Sequence, residues 1–374
     1  MMENVEYKIT LPQRYLILPF ILGILVIPYA SSISEIFWSE RFWLTPELSW
    51  KDFEGVNTNS YELLYPIPIA LLLLLIRDVL VTHADRILGP VIRLKSNVVK
   101  KSLSNPELET VYKLQKNSNN DLIFTKGTEL GLSERQTERW LRQRIKEDKP
   151  SKLEKLVETS WRCLYYTGMV IFGLTTLWDK PWLWDTRHCW YNLPNQQVND
   201  NMWRYYMIGL TFYWSMLFSQ IGGDSLRKRK DFWELLVHHI CTILLFCFSW
   251  VINCVRIGMM VLMLHDTADA FLDAAKMFKY AKYQKTCDVF FGLFVVVWVI
   301  TRLYLYPVYI LYSTLFETKQ FIGIAPSYYV MNGFLILLQI LHFVWSYYIF
   351  KAAFKALGSG NVEKDTRSDS DSSD

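Results

Sequence analysis

Eight runs of mostly apolar residues limit what this chain can fold into. Each is close to the length of about 20 residues with which a helix crosses the hydrocarbon core of a membrane. They lie at residues 15–30, 63–82, 160–178, 204–222, 233–252, 254–273, 286–308 and 328–350. The chain of 374 residues is also 51% hydrophobic and 16% aromatic, which is high for a soluble protein. The sequence therefore predicts an all-α polytopic membrane protein.

The first run has two interpretations. It is short, follows Lys8 and Arg14, and runs into the small residues Ala30, Ser31 and Ser32. This pattern fits a membrane span and also a cleavable signal sequence. Under either interpretation, residue 31 and those after it begin on the far side of the membrane.

Lysine and arginine are concentrated in every second loop. Residues 83–158 hold sixteen of them. The loop after residue 222 carries Arg227, Lys228, Arg229 and Lys230, and the loop after residue 273 carries Lys276, Lys279, Lys282 and Lys285. Cytoplasmic loops of membrane proteins have such an excess. We expect these three loops, together with the C-terminal tail, on the cytosolic side.

Two adjacent histidines, His238 and His239, lie inside the apolar stretch DFWELLVHHICTILLF. Ionisable side chains in a membrane helix are costly and usually face a protein interior or a water-filled cavity. The runs on either side of Asn253 are joined so closely that they predict an antiparallel helical hairpin. At a rise of 1.5 Å per residue, His239 and Asp266 both lie about 20 Å from this turn.

The second helix of the hairpin carries a stripe of carboxylates. The stretch HDTADAFLD places Asp266, Asp269 and Asp273 at i, i+3 and i+7, which is one face of a helix. His265 lies beside this stripe, and His342 in the last run reaches a similar depth. We therefore expect a shared polar chamber that opens toward the cytosol.

Several of these residues also have purely structural interpretations. His342 could be a hydrogen-bonding group between two helices. Asp273 and Lys276 are close to the cytosolic end of their helix, where a solvated terminus is an alternative. Asn253 and Arg256, at the turn, could be caps or snorkelling side chains.

The expected chamber suits acid–base or nucleophilic chemistry without a metal. Histidine transfers protons or attacks carbonyl groups near neutral pH, and a carboxylate orients it. A di-iron lipid oxygenase would need more histidines in HxxxH and HxxHH clusters, whereas this chain has six histidines and neither cluster. The six cysteines form no CxxC motif or zinc-type spacing. A single metal ion held by two histidines and two carboxylates stays open as a minor alternative.

The stretch RKDFWELLVHHICTILLFCFSWVINCVRIGMMVLMLHDTADAFLDAAKM, residues 229–277, resembles the Lag motif of the ceramide synthases within the TLC-domain family. The resemblance extends over residues 35–355 through ERFWLTPELSWKDFE, DKPWLW, YYMIGLTFYWSMLFS and LLQILHFVW. One departure is Asp273, where the family more often has glutamate. The carboxylate is kept, so the resemblance is little affected.

The resemblance implies a six-helix TLC bundle preceded by one or two additional transmembrane helices. Residues 1–62 would be a signal or anchor-like segment and a lumenal region, 63–82 a transmembrane helix, 83–158 a cytosolic segment, 159–352 the catalytic domain and 353–374 an acidic tail. It also implies a multi-pass protein of the endoplasmic reticulum membrane with a cytosolic C-terminus.

The implied reaction is N-acylation of a sphingoid base by a fatty acyl-CoA, which gives ceramide or dihydroceramide. The acyl-CoA is a co-substrate, and no cofactor or metal is implied. Membrane lipids are the further expected partners, and both a homodimer and a heterodimer stay open. The alternatives are a TLC-type lipid transporter or sensor without catalysis and, less favoured, a membrane-tethered nucleic-acid binder.

By analogy with the family, His238 takes the acyl group as an acyl-imidazole or acts as general base. His239 and Asp266 would assist, and Asp269 would orient a histidine or hold the substrate ammonium. The candidate substrate-binding residues are His265, Asn253, Arg256, Asp273 and His342.

Basic side chains at the cytosolic face are candidates for contacts to the acyl-CoA phosphates. They are Arg227, Lys228, Arg229, Lys230, Lys276 and Lys279. The alternative is that they only set the topology and touch anionic lipids. The resemblance also implies that the lumenal segment LYSTLFETKQF, before the last span, takes part in selecting the acyl-chain length.

Within the cytosolic segment, LSERQTERWLRQRIKED has Ser133 and Gln136 spaced as a capping box, followed by a basic helix around Trp140. It resembles the truncated homeobox-like region of many animal ceramide synthases. Gln143 stands where a homeodomain recognition helix carries its adenine-reading asparagine. Nucleic acid is therefore not expected as a partner, and a structural or regulatory role is favoured.

The tail ends in TRSDSDSSD, which has too little apolar content to fold. Acidic residues follow Ser368 and Ser370, so both are candidate sites for an acidophilic kinase. A solubilising tail is the alternative.

Overall fold

The structure is a computed structural model that describes residues 38–53, 58–84, 105–114, 121–147, 151–222 and 230–359. Within these ranges the regular structure is entirely helical, which confirms the predicted all-α class. The chain divides into two compact units, one formed by Leu80–Val157 and the other by Met1–Val79 with Glu158–Asp374. The first apolar run, residues 15–30, lies outside the described residues.

The described part of the chain contains ten helices of nine or more residues. They are α1 (Pro66–Thr82), α2 (Pro106–Leu114), α3 (Asp121–Glu129), α4 (Glu134–Glu147), α5 (Lys152–Leu177), α6 (Asp200–Gly222), α7 (Phe232–Val251), α8 (Val255–Tyr280), α9 (Gln284–Phe321) and α10 (Pro326–Ser359). Shorter helical turns lie at Glu40–Trp43, Trp50–Phe53, Ser60–Leu64, Pro181–Trp184 and Thr186–Cys189.

The smaller unit packs α2, α3 and α4 around a core of its own. The buried side chains of this core are Leu108, Tyr112, Ile123, Trp140 and Leu141. The predicted capping box is present at the start of α4, where the backbone N–H of Ser133 donates to Oε1 of Gln136 (2.8 Å). Trp140 is thus a core residue of this small helical unit.

The larger unit is a bundle in which α5 to α10 all contribute to one apolar core. Helical segments at Ser60–Thr82, Phe232–Val251, Gln284–Phe321 and Pro326–Gly358 have the length and the apolar composition to cross a membrane. Helices α5, α6 and α8 have 26, 23 and 26 residues and are therefore long enough to cross a membrane as well. The protein is therefore a multi-pass membrane protein.

Helices α7 and α8 form the predicted antiparallel hairpin. Helix α7 ends at Val251 and α8 begins at Val255. Asn253 allows this tight turn because it adopts φ of 56°, a left-handed conformation in which asparagine is favoured over most residues. Its side-chain amide donates to the carbonyls of Pro194 (2.6 Å) and Gln196 (2.8 Å). The turn is thereby fixed to the segment that precedes α6.

Helix α9 is longer than the run at residues 286–308 predicts. It continues as π-helix over Val299–Leu311 and Ser313–Glu317 and ends at Phe321. The segment LYSTLFETKQF is therefore helical, and the connection to α10 is only residues 322–325. Polar side chains in this segment have partners within the protein: Thr318 donates to the carbonyl of Ser313 (3.1 Å), and Ser313 accepts from Trp190 Nε1 (2.8 Å). The helix can therefore continue past the predicted end of the span.

Substitutions at Asn253 separate the backbone requirement of the turn from its hydrogen bonds. Asn253→Gly keeps access to positive φ but loses both donors, and we expect it to reduce the free energy of unfolding by about 1–3 kcal/mol. Asn253→Ala also meets the steric cost of a left-handed conformation, roughly 1–2 kcal/mol more. Thermal unfolding of the purified protein in detergent measures both changes. Equal stability of the two variants would contradict a role for the backbone conformation.

Candidate active site

An open polar cavity of about 1350 Å³ lies inside the larger unit, bounded by side chains of α1 and of α5 to α10. Four of the six histidines line it: His238, His239, His265 and His342. The structure therefore brings together the histidines of the Lag motif and the histidine of the last span. This is the shared chamber that the sequence predicts.

His238 is buried, with its ring 6.1 Å from the ring of His265 and 5.3 Å from that of Trp345 between centroids. Its Nδ1 atom has no hydrogen-bond partner among the described residues. A buried polar atom without a partner is unfavourable. The residue lines the polar cavity, so its ring is a candidate to contact a substrate there.

His239 is held by a side chain that the motif does not contain. Its Nδ1 lies 2.7 Å from Oε1 of Gln220, and Nε2 of Gln220 donates to the carbonyl of Phe232 (2.8 Å). Because the amide nitrogen is used there, the amide oxygen faces the histidine and Nδ1–H of His239 donates to it. The lone pair of His239 is therefore on Nε2.

His265 and His342 form a hydrogen bond between α8 and α10, with their Nε2 atoms 3.1 Å apart. Nδ1–H of His265 donates to the carbonyl of Val261 (2.7 Å). Nε2 of His265 is then the acceptor, and Nε2–H of His342 is the donor. The interhelical bond considered for His342 is thus present, and its Nδ1 has no partner among the described residues.

The three carboxylates on α8 have three different environments. Asp266 is fully buried and accepts from the hydroxyl of Tyr213 (3.3 Å); it does not line the cavity, whereas Tyr213 does. Asp269 lines the cavity and lies 3.4 Å from Nη2 of Arg302. Asp273 is paired with Arg162 (3.1 Å). Depth counting groups His239 with Asp266, but the hydrogen bonds described here pair each with a different residue of α6.

Asn253 and Arg256 lie at the other end of the hairpin and line neither this cavity nor the apolar cavity described next. Arg256 donates to the carbonyl of His188 (2.8 Å) and stacks over Trp182 at 4.6 Å from the ring centroid. Together with the contacts of Asn253 to residues 194 and 196, these interactions explain both side chains structurally. These contacts favour the structural interpretation of the pair, and the substrate-binding interpretation stays a prediction.

A second cavity of about 1170 Å³ is mostly apolar and shares Tyr213 and His265 with the first. It follows α8 and α10 toward the turn at Asn253, past Leu262 and Leu338. At its far end it reaches Trp43 and Met331. The two cavities meet at the level of the histidines.

The TLC domain family matches residues 155–351. Ceramide synthase 5 of Homo sapiens is 39% identical over 342 residues, which cover 90% of this chain and 86% of that protein. Ceramide synthase 4 of Homo sapiens is 36% identical over 349 residues (92% and 88%), and ceramide synthase 3 of Homo sapiens is 37% identical over 344 residues (90% and 88%). The chain belongs to the ceramide synthase family.

Family membership confirms the resemblance that the Lag motif indicates. The individual residue assignments stay predictions, because membership does not test them. Among the described residues, no three His, Cys, Asp or Glu side chains are grouped as they would be around a metal ion. The question of a metal is left to experiment.

Lys276 lines the polar cavity and is one of the basic residues expected to contact the acyl-CoA phosphates. Lys279 and Lys230 are described but do not line it. Arg227, Lys228 and Arg229 lie outside the described residues, as do Ser368 and Ser370. Lys276 is therefore the candidate phosphate contact that the geometry places best.

Four residues that line the polar cavity are not among the site residues predicted from the sequence: Arg162, Tyr213, Gln220 and Arg302. Arg302 had a usable signal, because it is an arginine inside the apolar run 286–308 and an intramembrane charge indicates function. Tyr213 and Gln220 had none, since a tyrosine and a glutamine in α6 resemble ordinary helix residues until their neighbours are known.

The Arg162–Asp273 pair allows a test of whether Asp273 is structural. Arg162→Met leaves a buried carboxylate without its cation, and we expect a loss on the order of 3 kcal/mol in the free energy of unfolding. The double variant Arg162→Met/Asp273→Asn removes the uncompensated charge and should recover most of that loss. Thermal unfolding in detergent of the wild type and of the single and double variants measures the coupling. Simple additivity of the two substitutions would contradict a structural ion pair.

Proposed function

We propose that this protein is a ceramide synthase, a sphingoid base N-acyltransferase that moves a fatty acyl group from acyl-CoA to the amine of sphinganine or sphingosine. Relatives of that name, 36–39% identical over about 90% of the chain, support the assignment. One geometric observation carries it: a cavity with four histidines meets an apolar cavity at Tyr213 and His265. A reactive head group and a long hydrocarbon chain would need such a junction.

The polar side of the junction supplies the acyl-transfer chemistry. A ring nitrogen of His238, which lines the polar cavity, attacks the thioester carbonyl, the C–S bond breaks, and an acyl-imidazole forms while the departing CoA thiolate gains the imidazole proton. The sphingoid amine is an ammonium at neutral pH, by analogy with the pKa of about 10.4 for lysine. It must lose a proton before it attacks, and Nε2 of His239 or the carboxylate of Asp269 accepts that proton.

The apolar cavity holds the acyl chain. Its walls are mainly aliphatic and aromatic side chains from α7, α8 and α10, so a hydrocarbon chain buried there is removed from water at a gain of about 0.8 kcal/mol per CH₂. The chain would point from the histidines toward the turn at Asn253. Residues around Trp43 and Met331 line that end and would limit the chain length.

The protein would lie in the endoplasmic reticulum membrane with the histidine cavity open to the cytosol. The excess of lysine and arginine in the loops on that side supports the orientation. Lys276, at the wall of the polar cavity, would meet the phosphates of the incoming acyl-CoA. The turn at Asn253 and the end of the apolar cavity near Trp43 would face the lumen.

The direct test is amide formation by the purified protein from sphinganine and a series of acyl-CoA chain lengths, with and without a chelator. We expect ceramide formation that chelation does not change. If well-folded protein binds acyl-CoA but forms no amide at any chain length, the TLC-type transporter or sensor is favoured and the proposed activity is wrong. Activity lost on chelation and restored by a metal ion would contradict the metal-free mechanism.

Substitutions of cavity residues test the assignment of the nucleophile. His238→Ala should lower the rate about 100-fold or more, and Asp269→Ala should also remove most turnover, whereas His342→Ala should be milder. In the absence of sphinganine, wild type should release one equivalent of CoA in a burst and His238→Ala should release none. His188→Ala, outside both cavities, is the matched control and should retain activity. Near-normal activity of His238→Ala would contradict its role.

Two substitutions at different depths test the chain-binding cavity. Leu338→Trp narrows the apolar cavity close to the histidines. Met331 lies seven residues, or about 10 Å, further along α10 toward Trp43, so Met331→Trp narrows the cavity near its far end. We expect Leu338→Trp to reduce activity with all long acyl-CoAs and Met331→Trp to reduce it only with the longest. Competition among acyl-CoAs of different length, analysed by mass spectrometry, measures the preference. An unchanged preference in both variants would place the chain elsewhere.

A further inference from the structure

Arg302 is a charged residue at the centre of the membrane-spanning helix α9. It lies 18 residues after Gln284 and 19 before Phe321, the two ends of the helix. Its side chain is only 2% exposed. A cation is expensive to bury in such a place unless a compensating partner or a function keeps it there.

The partners of Arg302 do not use its full hydrogen-bonding capacity. Nη2 donates to the backbone carbonyl of His265 (2.7 Å), and its distance to Oδ2 of Asp269 is 3.4 Å. The guanidinium also lies 5.2 Å from the ring centroid of Trp298. Nε and Nη1 have no hydrogen-bond partner among the described residues. The guanidinium carries five N–H donors in a fixed plane, so donors on two of its three nitrogens are left for another acceptor.

An ion pair with Asp269 alone would not explain this geometry. Arginine and carboxylate pairs that serve stability commonly form two parallel hydrogen bonds at about 2.7–2.9 Å, whereas a single contact of 3.4 Å joins these two residues. Asp273, one helical turn further on, has the closer pair of contacts with Arg162 at 3.1 and 3.3 Å. Arg302 is held in place by the His265 carbonyl and Trp298, and its remaining donors stay open.

The unused donors belong to a side chain that lines the polar cavity together with His238, His265 and Asp269. The carbonyl to which Arg302 donates belongs to His265, and the ring of His265 lies 6.1 Å from that of His238. A cation with free N–H groups is therefore fixed in the same cavity as the proposed nucleophile. A carbonyl oxygen of a substrate in this cavity is an acceptor of the kind that these donors bind.

We propose that Arg302 is a catalytic residue that binds the carbonyl oxygen of the acyl group and stabilises the negative charge that develops on it. This inference rests on the proposed acyl transfer. When the attacking ring nitrogen of His238 reaches the thioester carbon, the C=O π electrons move to the oxygen, which accepts from Arg302. The oxyanion then reforms the carbonyl as the C–S bond breaks and the CoA thiolate leaves.

The same site serves the second half of the reaction. The deprotonated amine forms a C–N bond to the acyl carbon, and the oxygen again becomes an anion that accepts from Arg302. Collapse of this intermediate breaks the bond to His238 and releases the amide, while the proton from the amine returns to the imidazole system. Donors fixed in advance act strongly on such charge because they need no reorganisation during the reaction.

The experiment compares Arg302→Met and Arg302→Lys with the wild type, and Arg187→Met serves as control because Arg187 pairs with Asp185 outside both cavities. We expect Arg302→Met to lower kcat about 100-fold to 1000-fold. The kcat of Arg302→Lys should lie between those of Arg302→Met and the wild type, because lysine keeps the charge but loses the planar guanidinium. Arg187→Met should retain the kcat of the wild type.

Binding of an S-alkyl-CoA thioether, which has the chain and the nucleotide but no carbonyl oxygen, separates catalysis from other roles. Its Kd should be the same for the wild type and Arg302→Met. A large loss of thioether affinity would assign Arg302 to the CoA phosphates or to the shape of the cavity, and it would overturn the proposal. If Arg302→Met does not fold, the same comparison is made with Arg302→Lys, for which an unchanged kcat would also overturn it.

Failure of the proposed function is recognised separately. In that case the wild-type protein forms no ceramide, and no comparison of rates exists. If wild type is active and Arg302→Met retains full kcat, the acyl-transfer function stands and the role of Arg302 is wrong.

Discussion

Polar side chains inside a membrane bundle must find their partners within the protein, because the hydrocarbon around them offers none. Most of the buried polar groups between α9 and α10 obey this constraint. Nε1–H of Trp298 donates to Ser346 (2.9 Å), whose hydroxyl in turn donates to the carbonyl of His342 (2.6 Å). The hydroxyl of Tyr306 donates to the carbonyl of Leu335 (3.0 Å). These bonds fix the rotation of both helices and thereby the direction of the histidine that α10 contributes.

Some exceptions to this constraint lie at the polar cavity, and others, such as Gln339 and Tyr205, lie elsewhere in the described part of the larger unit. Nδ1 of His238, Nδ1 of His342, and Nε and Nη1 of Arg302 are all buried without a partner among the described residues. All three residues line that cavity. A polar substrate bound in this cavity would supply partners to these atoms. The fold orients these side chains, and their unpaired nitrogen atoms supply the reactivity.

The sequence predicts well how deep a residue lies along its helix, and predicts poorly which neighbour its side chain faces. The rise per residue of a helix is fixed, so counting from Asn253 places His239 and Asp266 at one level, and Tyr213 lies close to both. The facing partner, however, is decided by neighbouring helices whose rotation no local pattern contains. Asp266 therefore meets Tyr213, and Asp273 meets Arg162. The π-helical course of α9 past Pro307 is equally hidden, because a proline inside an apolar run usually signals a kink or an end. Arg302 on this stretch could have been noticed by its charge, but its partners could not.

The end of the apolar cavity near Trp43 is assembled from parts that are distant in sequence. The hydroxyl of Ser327 donates to the carbonyl of Trp43, and the two residues are 284 positions apart. Thr45 packs near Gly323, and the cavity reaches both. None of these residues lines the polar cavity. Substitutions that share no partners usually have additive effects. Substitutions at this end should therefore leave the effects of substitutions near the histidines unchanged. An enzyme built in this way can evolve a new substrate range while its chemistry stays under separate selection.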